Sequence, residues 1–345
     1  MIVVHRRMHR TEAPWFVTTG MTVALLLVSA PRGHADQQFA LVRPVNCELG
    51  KSCFIQNYVD HDSSEKSLDF QCGHRTYNGH DGTDIRIPDI EAQKIGVEVL
   101  AAAGGNVTHV RDGMDDVSVH TARRNSIAGK ECGNGVLIDH EQGWSTQYCH
   151  LAKGSLRVRP GEQVQAGQTL GLIGLSGNTE FPHLHFTVRQ NRSVVDPFAY
   201  EAPQNSCNSG HPIWTPSALA EMRYVPREII NFGFAEAPAT TDMIETGEIK
   251  RHVVSFRSDV LVAYVRAIGL EMGDEQALEV RLPEGRLLAE SRLPALEQDK
   301  AQMFVSAGRR LKGVRWPGGT YKATYVVTRN GIEVLRKAFE TRISE

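Results

Sequence analysis

From Gly79 onward, short apolar runs alternate with glycine-rich breaks, and the runs read as strands. Asp84 to Ile87, Val97 to Leu100, Val136 to Asp139, Gln168 to Gly174 and His183 to Val188 are the clearest. Short strands bounded by turn residues at this spacing predict an all-β core reaching Tyr200. Gly135 to His140 and Trp144 to Cys149 flank Glu141, Gln142 and Gly143, which predicts a hairpin with Cys132 and Cys149 close together across it. The polar stretch from Arg111 to Lys130 reads as an inserted surface loop. A second series resumes near Ile249, with strands expected over 260–265, 277–282, 303–305, 321–327 and 332–335. The last two are joined through Asn330-Gly331, the favoured pair of a type I′ turn. About seven short strands in roughly 100 residues predict a C-terminal β-sandwich of the immunoglobulin-like kind. Between the two series, Thr215-Pro216-Ser217 predicts one short helix, because the hydroxyl caps and the proline suits the first turn.

These patterns divide the chain into a leader over 1–35, a Cys-containing lead-in over 36–75, a β-rich domain over 76–200, a connector over 201–245 and the sandwich over 246–345. The leader has basic residues at Arg6, Arg7 and Arg10, an apolar stretch over Met21 to Val28, and small residues at Gly33 and Ala35. That layout predicts a cleavable export signal, placing the mature chain in the periplasm or outside the cell with no stable membrane span. The uncharged stretch from Ala13 to Pro31 leaves a retained anchor as the alternative. Hydrophobic residues at 41% and charged residues at 23% exclude wholesale disorder and a multi-span membrane protein. The net charge is −2, and it becomes −5 once the four Arg and one Glu of the leader are removed. A mildly acidic chain without a basic block has no electrostatic footprint for nucleic acid. All six cysteines follow the leader, and an even number in an exported chain predicts disulfides. With no C-x-x-C spacing, a cysteine-ligated zinc site is not expected.

Candidate chemistry sits on histidines. His80 and Asp84 lie four residues apart around Gly82, in a tight loop entering a strand. His183 and His185 lie two apart in a strand, so both rings project from one face. His150 follows Tyr148 and Cys149 at the end of the predicted hairpin. Either spacing alone is common; it is the conjunction at strand borders of one short domain that points to a metal. Three ligands with an open position is the arrangement of catalytic zinc.

In order and spacing, His80-x-x-x-Asp84, Tyr148-x-His150-Leu151 and His183-Leu184-His185 resemble the lysostaphin/LytM-type zinc metallopeptidase family. The series Val164, Gly167, Leu170, Gly171, Gly174, Ser176 and Gly177 resembles it too. The resemblance covers residues 75–200. It implies a duplicated-hybrid-motif β fold, one Zn²⁺ per chain, and hydrolysis of peptide bonds in peptidoglycan cross-links or stem peptides. By position, His80, Asp84 and His185 would be the metal ligands, and His150 and His183 the catalytic histidines beside the reacting water. His183 would serve as general base and later as acid, and His150 would donate to the developing oxyanion, although spacing leaves these roles exchangeable. His140 reads as a turn residue outside the site. The glycines over 171–177 lack the Gly-Lys-Ser/Thr ending of a phosphate loop. Two other functions remain open on sequence: a silent scaffold that activates another wall hydrolase, and an endopeptidase on a non-wall protein. The sandwich is expected either to bind a surface or partner, or to steady the catalytic domain by packing.

Overall fold

A computed structural model describes residues 1–3, 11–15, 39–121 and 127–344. The chain divides into two units, Met1–Gln38 and Phe39–Glu345. The leader expected over 1–35 lies mostly outside the described residues. No helix among the described residues is long and apolar enough to cross a membrane.

In the first half the strands are β1 (Phe54–Asn57), β2 (Thr83–Arg86), β3 (Glu98–Leu100), β4 (Gly105–Arg111) and β5 (Asn134–Asp139). They continue with β6 (Trp144–Leu151), β7 (Gln163–Val164), β8 (Thr169–Leu172), β9 (His183–Gln190) and β10 (Ser193–Val195). The main sheet runs β1-β2-β9-β6-β5-β4-β7, with β10 also on β9, and β3 pairs with β8 separately. Alternation on β9 explains why the sheet faces as it does. Leu184, Phe186 and Val188 are buried in the core with Ile85, Ile138 and Tyr148, and His183, His185 and Thr187 take the opposite face. Burying each such large apolar side chain stabilises the fold by about 1.5–3 kcal/mol.

The predicted hairpin is present, with Glu141–Gly143 as its tight turn and a Cys132–Cys149 disulfide behind it. Cys47–Cys53 and Cys72–Cys207 are the other two bonds. Between β2 and β3, the helix α1 (Ile90–Ile95) starts at Asp89, whose carboxylate accepts from Ala92 N–H at 2.9 Å.

The structure moves two of the expected borders. The lead-in is part of the first β-rich body: Leu41, Val45, Ile55, Tyr58 and Phe70 lie in its core, and β1 pairs with β2. So do Ile213, Trp214, Ala218 and Met222 from the expected connector. Helix α2 (Pro216–Glu221) begins at the expected Thr215 cap. The expected connector also contains β11 (Glu228–Ala235) and α3 (Thr241–Thr246). Strand β11 pairs antiparallel with β12 (Val260–Leu270), so the sandwich starts at Glu228. Its pattern is irregular, with Phe232 41% exposed, and carries no clear period of two.

The remaining strands are β13 (Asp274–Arg281), β14 (Leu287–Leu293), β15 (Lys300–Arg310), β16 (Gly319–Arg329) and β17 (Ile332–Ile343). They form sheets ordered β11-β12-β15 and β14-β13-β16-β17 over one shared core that includes Leu261, Val265, Leu278, Tyr321 and Tyr325. Asn330 and Gly331 both have positive φ (52° and 76°), as the type I′ turn requires.

The sandwich packs directly on the first β-rich body. Phe54 meets Ile230 and Ile268 in a small apolar cluster, and buried Arg75 donates to Val225 O at 2.7 Å.

Candidate functional site

Strand pairing brings the metal candidates together. In the β2–β9 register Asp84 stands directly opposite His185, and His185 stands opposite Cys149 of β6. Directly opposed side chains leave the backbone about 4.5–5.5 Å apart at Cβ, so the carboxylate and the imidazole must converge. His80 enters from the loop before β2. Its Nε2 is 3.3 Å from His185 Nδ1 and 3.1 Å from Asp84 Oδ2, and His185 Nδ1 is 2.8 Å from Asp84 Oδ1.

These three donors fit one zinc ion. Ligands at Zn–N or Zn–O of about 2.0–2.1 Å in a tetrahedron are roughly 3.3–3.4 Å apart, close to the spacings here. Each ring is also turned for the task. His80 Nδ1 donates to Tyr58 O at 2.7 Å, leaving Nε2 for the site. His185 Nε2 reaches Asp81 Oδ1 at 3.1 Å and Thr187 Oγ1 at 3.0 Å, leaving Nδ1. Outer hydrogen bonds of this kind fix tautomer and ring direction and raise ligand basicity. Asn57 Nδ2 holds Asp84 Oδ2 at 2.9 Å.

Charge is balanced within the cluster. Burial pushes the Asp84 carboxyl up, but the positive fields of His80 and His183 outweigh it and hold the group well below the usual carboxylate range. Burial opposes a charge on His185, yet hydrogen bonds to Asp81 and Asp84 prevail and push its pKa up to about 9. A metal ion taking this ring must displace that proton.

His150 and His183 stand beside the cluster. His183 Nδ1 lies 2.9 Å from Phe181 O, and its Nε2 faces Asp84 Oδ1 at 3.4 Å. His150 Nδ1 donates to Ser176 O at 2.8 Å, and the two rings are 4.7 Å apart at their centroids. His150 adopts φ +65°, a left-handed conformation that costs a residue with a side chain of order 1–3 kcal/mol. It is held there by its N–H to Cys132 O (2.8 Å), by Gly174 N–H to its own carbonyl (2.9 Å) and by the adjacent disulfide. Burial, with further repulsion from His183 and His185, keeps the His150 ring well below the usual histidine range.

Thus the structure brings all five sequence candidates into one place. Asp84, His150, His183 and His185 line a groove of about 520 Å³ together with Asn57, Tyr77, Thr179, Phe181 and Gln302, and buried His80 stands behind them. His140 is elsewhere, bound to Gly104 O and Thr146 Oγ1, as expected of a turn residue. Several contributors leave no sequence signal: Asn57, Tyr58, Asp81 and Thr187 act through contacts that only the fold creates. Ser176 is visible within the glycine series, but its buried role in aiming His150 is not.

Gly82 is needed for space, since its φ is not left-handed. A Cβ there would sit 2.7 Å from His185 Nε2 and 2.8 Å from Phe186 O. Gly82→Ala is expected to turn the His185 ring and weaken zinc binding by about 10–100-fold, the usual scale for a disturbed ligand support. Competition with a chelating dye measures it, and an unchanged zinc affinity would show that the ring is not confined.

Residues 78–197 match the sequence profile of Peptidase family M23. The chain is 32% identical over 124 residues to the peptidoglycan DD-endopeptidase ShyB of Vibrio cholerae, covering 36% of this chain and 24% of that protein. To ShyC of the same organism, also named a peptidoglycan DD-endopeptidase, it is 30% identical over 214 residues, covering 61% of this chain and 42% of that one. The cell division protein DipM of Caulobacter vibrioides is 31% identical over 117 residues, 34% of this chain and 15% of DipM. The chain therefore spans less than half the length of these relatives. Among solved structures, a zinc containing peptidase from Vibrio cholerae is 26% identical at a TM-score of 0.28, over 44% of this chain and 41% of that chain.

Proposed function

We propose that the protein is a zinc-dependent endopeptidase that hydrolyses peptide bonds in peptidoglycan cross-links or stem peptides. The observation that carries this reading is the convergence of His80, Asp84 and His185 on one point of the groove, with two further imidazoles facing it. The M23 match and the names of the relatives support the substrate class. Three disulfides suit an oxidising compartment, which supports the periplasm or the extracellular space.

When bound, zinc polarises a scissile carbonyl and lowers the pKa of water from about 15.7 to about 7. The chain's own residues do the rest. His150 and His183 both spend Nδ1 on a backbone carbonyl, so both present Nε2 to the reacting atoms. Nε2 of one ring accepts the proton of the attacking water, and the imidazolium so formed returns it to the departing amine. A neutral His150 carries a lone pair at Nε2, so it donates to an oxyanion only after it has itself taken a proton. That constraint favours proton sharing within the pair over a fixed donor role for His150. Phe181 lies beside His183, its ring tilted by 41° with centroids 5.0 Å apart.

Zymography in gels cast with purified wall material tests the reading. Clearing is expected that chelator abolishes and zinc restores. Chelator-resistant clearing would contradict the zinc dependence, and no clearing after zinc loading would favour the scaffold instead.

A further inference from the structure

The groove is not built from the M23 domain alone. Ala301 and Gln302, at the start of β15, line it together with Gln56, Asn57, Phe181 and the histidines. Strand β15 is the outer strand of its sheet, with β12 on one side only. Its other side meets the catalytic body: Gln56 Nε2 donates to Ala301 O at 3.1 Å.

Gln302 is oriented by an unusual partner. Arg86, the fully buried residue opposite His183 in the β2–β9 register, donates through one guanidinium nitrogen to Gln302 Oε1 and to Gln56 Oε1, each at 3.2 Å. The Phe181 ring covers the same guanidinium at 4.1 Å. One carboxylate, Glu245, is shared by Arg86 and Arg266. A guanidinium has donors and no acceptor, so Gln302 must turn its carbonyl oxygen toward Arg86 and its NH₂ away. Among the described residues that NH₂ has no protein acceptor. Gln56, by contrast, uses its oxygen on Arg86 and its nitrogen on Ala301.

We infer that Gln302 is a substrate-positioning residue, whose NH₂ donates to a carbonyl or carboxylate oxygen of the bound peptide, so that the sandwich forms one wall of the peptide site. This rests on the endopeptidase reading above and adds to it which part of the chain grips the substrate. The wall is rigid. The Phe54–Ile230–Ile268 contact and the Arg86 clasp fix β15 against the catalytic sheet, so the donor is pre-oriented before substrate arrives. A peptide, which offers an acceptor at every residue, matches this donor.

The test uses the full chain without its leader, loaded with zinc, acting on purified cross-linked muropeptide dimers. Gln302→Ala is expected to raise KM about tenfold, the value of roughly one pre-oriented hydrogen bond, with kcat and zinc content little changed. Because Gln302→Ala also removes an acceptor from buried Arg86, Ala301→Trp serves as the second variant. Ala301 is exposed, so the larger side chain enters the groove without entering the core, and it too should raise KM. In a His183→Ala background, titration calorimetry with the same dimer should show the Gln302→Ala loss as weaker binding. If the wild type cuts the dimer and both variants keep its KM, the inference is overturned alone. If the wild type cuts no muropeptide, the endopeptidase reading falls and this inference falls with it.

Discussion

His183→Ala is expected to cut turnover by about 10²–10⁴-fold while zinc content stays near one ion per chain, because the loss of a positioned acid–base group is of that size. The geometry separates the two readouts. His183 shares the face of β9 with His185, but its Nε2 is 3.4 Å from Asp84 Oδ1 and its Nδ1 is committed to Phe181 O. The three atoms that would hold the ion lie within 4.8 Å of one another without it. Its removal breaks the proton sharing of the pair, whose rings lie 4.7 Å apart at their centroids, and His150 does not complete the relay alone. The double variant with His150→Ala should therefore lose little more than the worse single one, as residues acting as a unit do. Elemental analysis beside a muropeptide assay reads both quantities, and loss of zinc in the single variant would make His183 a ligand.

Asp84→Ala should abolish both zinc and activity. Asp84 is 3% exposed and is the one carboxylate at the meeting point of His80, His183 and His185. Without it the site offers two imidazoles and no carboxylate ligand, and Asn57 loses its partner at 2.9 Å. Any proton taken up by the remaining rings then repels the metal further. Zinc is expected below about a tenth of an equivalent after dialysis, by the same logic that makes removal of one partner from a buried charge cluster severe. A variant that kept one zinc per chain would mean the ion sits elsewhere.

Much of this site is legible in the amino-acid sequence. Side chains two apart on a strand must share a face, so spacing alone places His183 and His185 together. The hairpin ties His150 to the neighbouring strand, and sets Cys132 and Cys149 across from each other. What spacing cannot show is contact between distant segments. Asn57 and Tyr58 lie in a stretch that reads as polar turns, yet one steadies Asp84 and the other aims His80. Arg86 and Arg266 are fully buried charges. Composition rules place arginine at the surface, and partners from distant segments make their burial tolerable: Glu245, from a stretch that reads as a connector, reaches both, Gln56 and Gln302 accept from Arg86, and Asn231 and Pro88 O accept from Arg266. Strand β11 escapes the pattern for a related reason. It is half-buried, one face on the catalytic body and one in the sandwich, so its residues obey neither period.

The role of the C-terminal module changes accordingly. A cut near residue 245 would leave β11 without β12 and strip Glu245 of Arg266, so it does not separate binding from folding. Point variants on β15 do.

The most direct measurement of the central claim is mass spectrometry of the fragments released from purified sacculi by the leaderless protein, first stripped of metal and then titrated with zinc. The account predicts fragments that differ from their parents by one water added at a peptide bond, with release absent in the stripped protein and saturating at one zinc per chain. Release that ignores zinc, or products cut in the glycan strand with peptides intact, would contradict it.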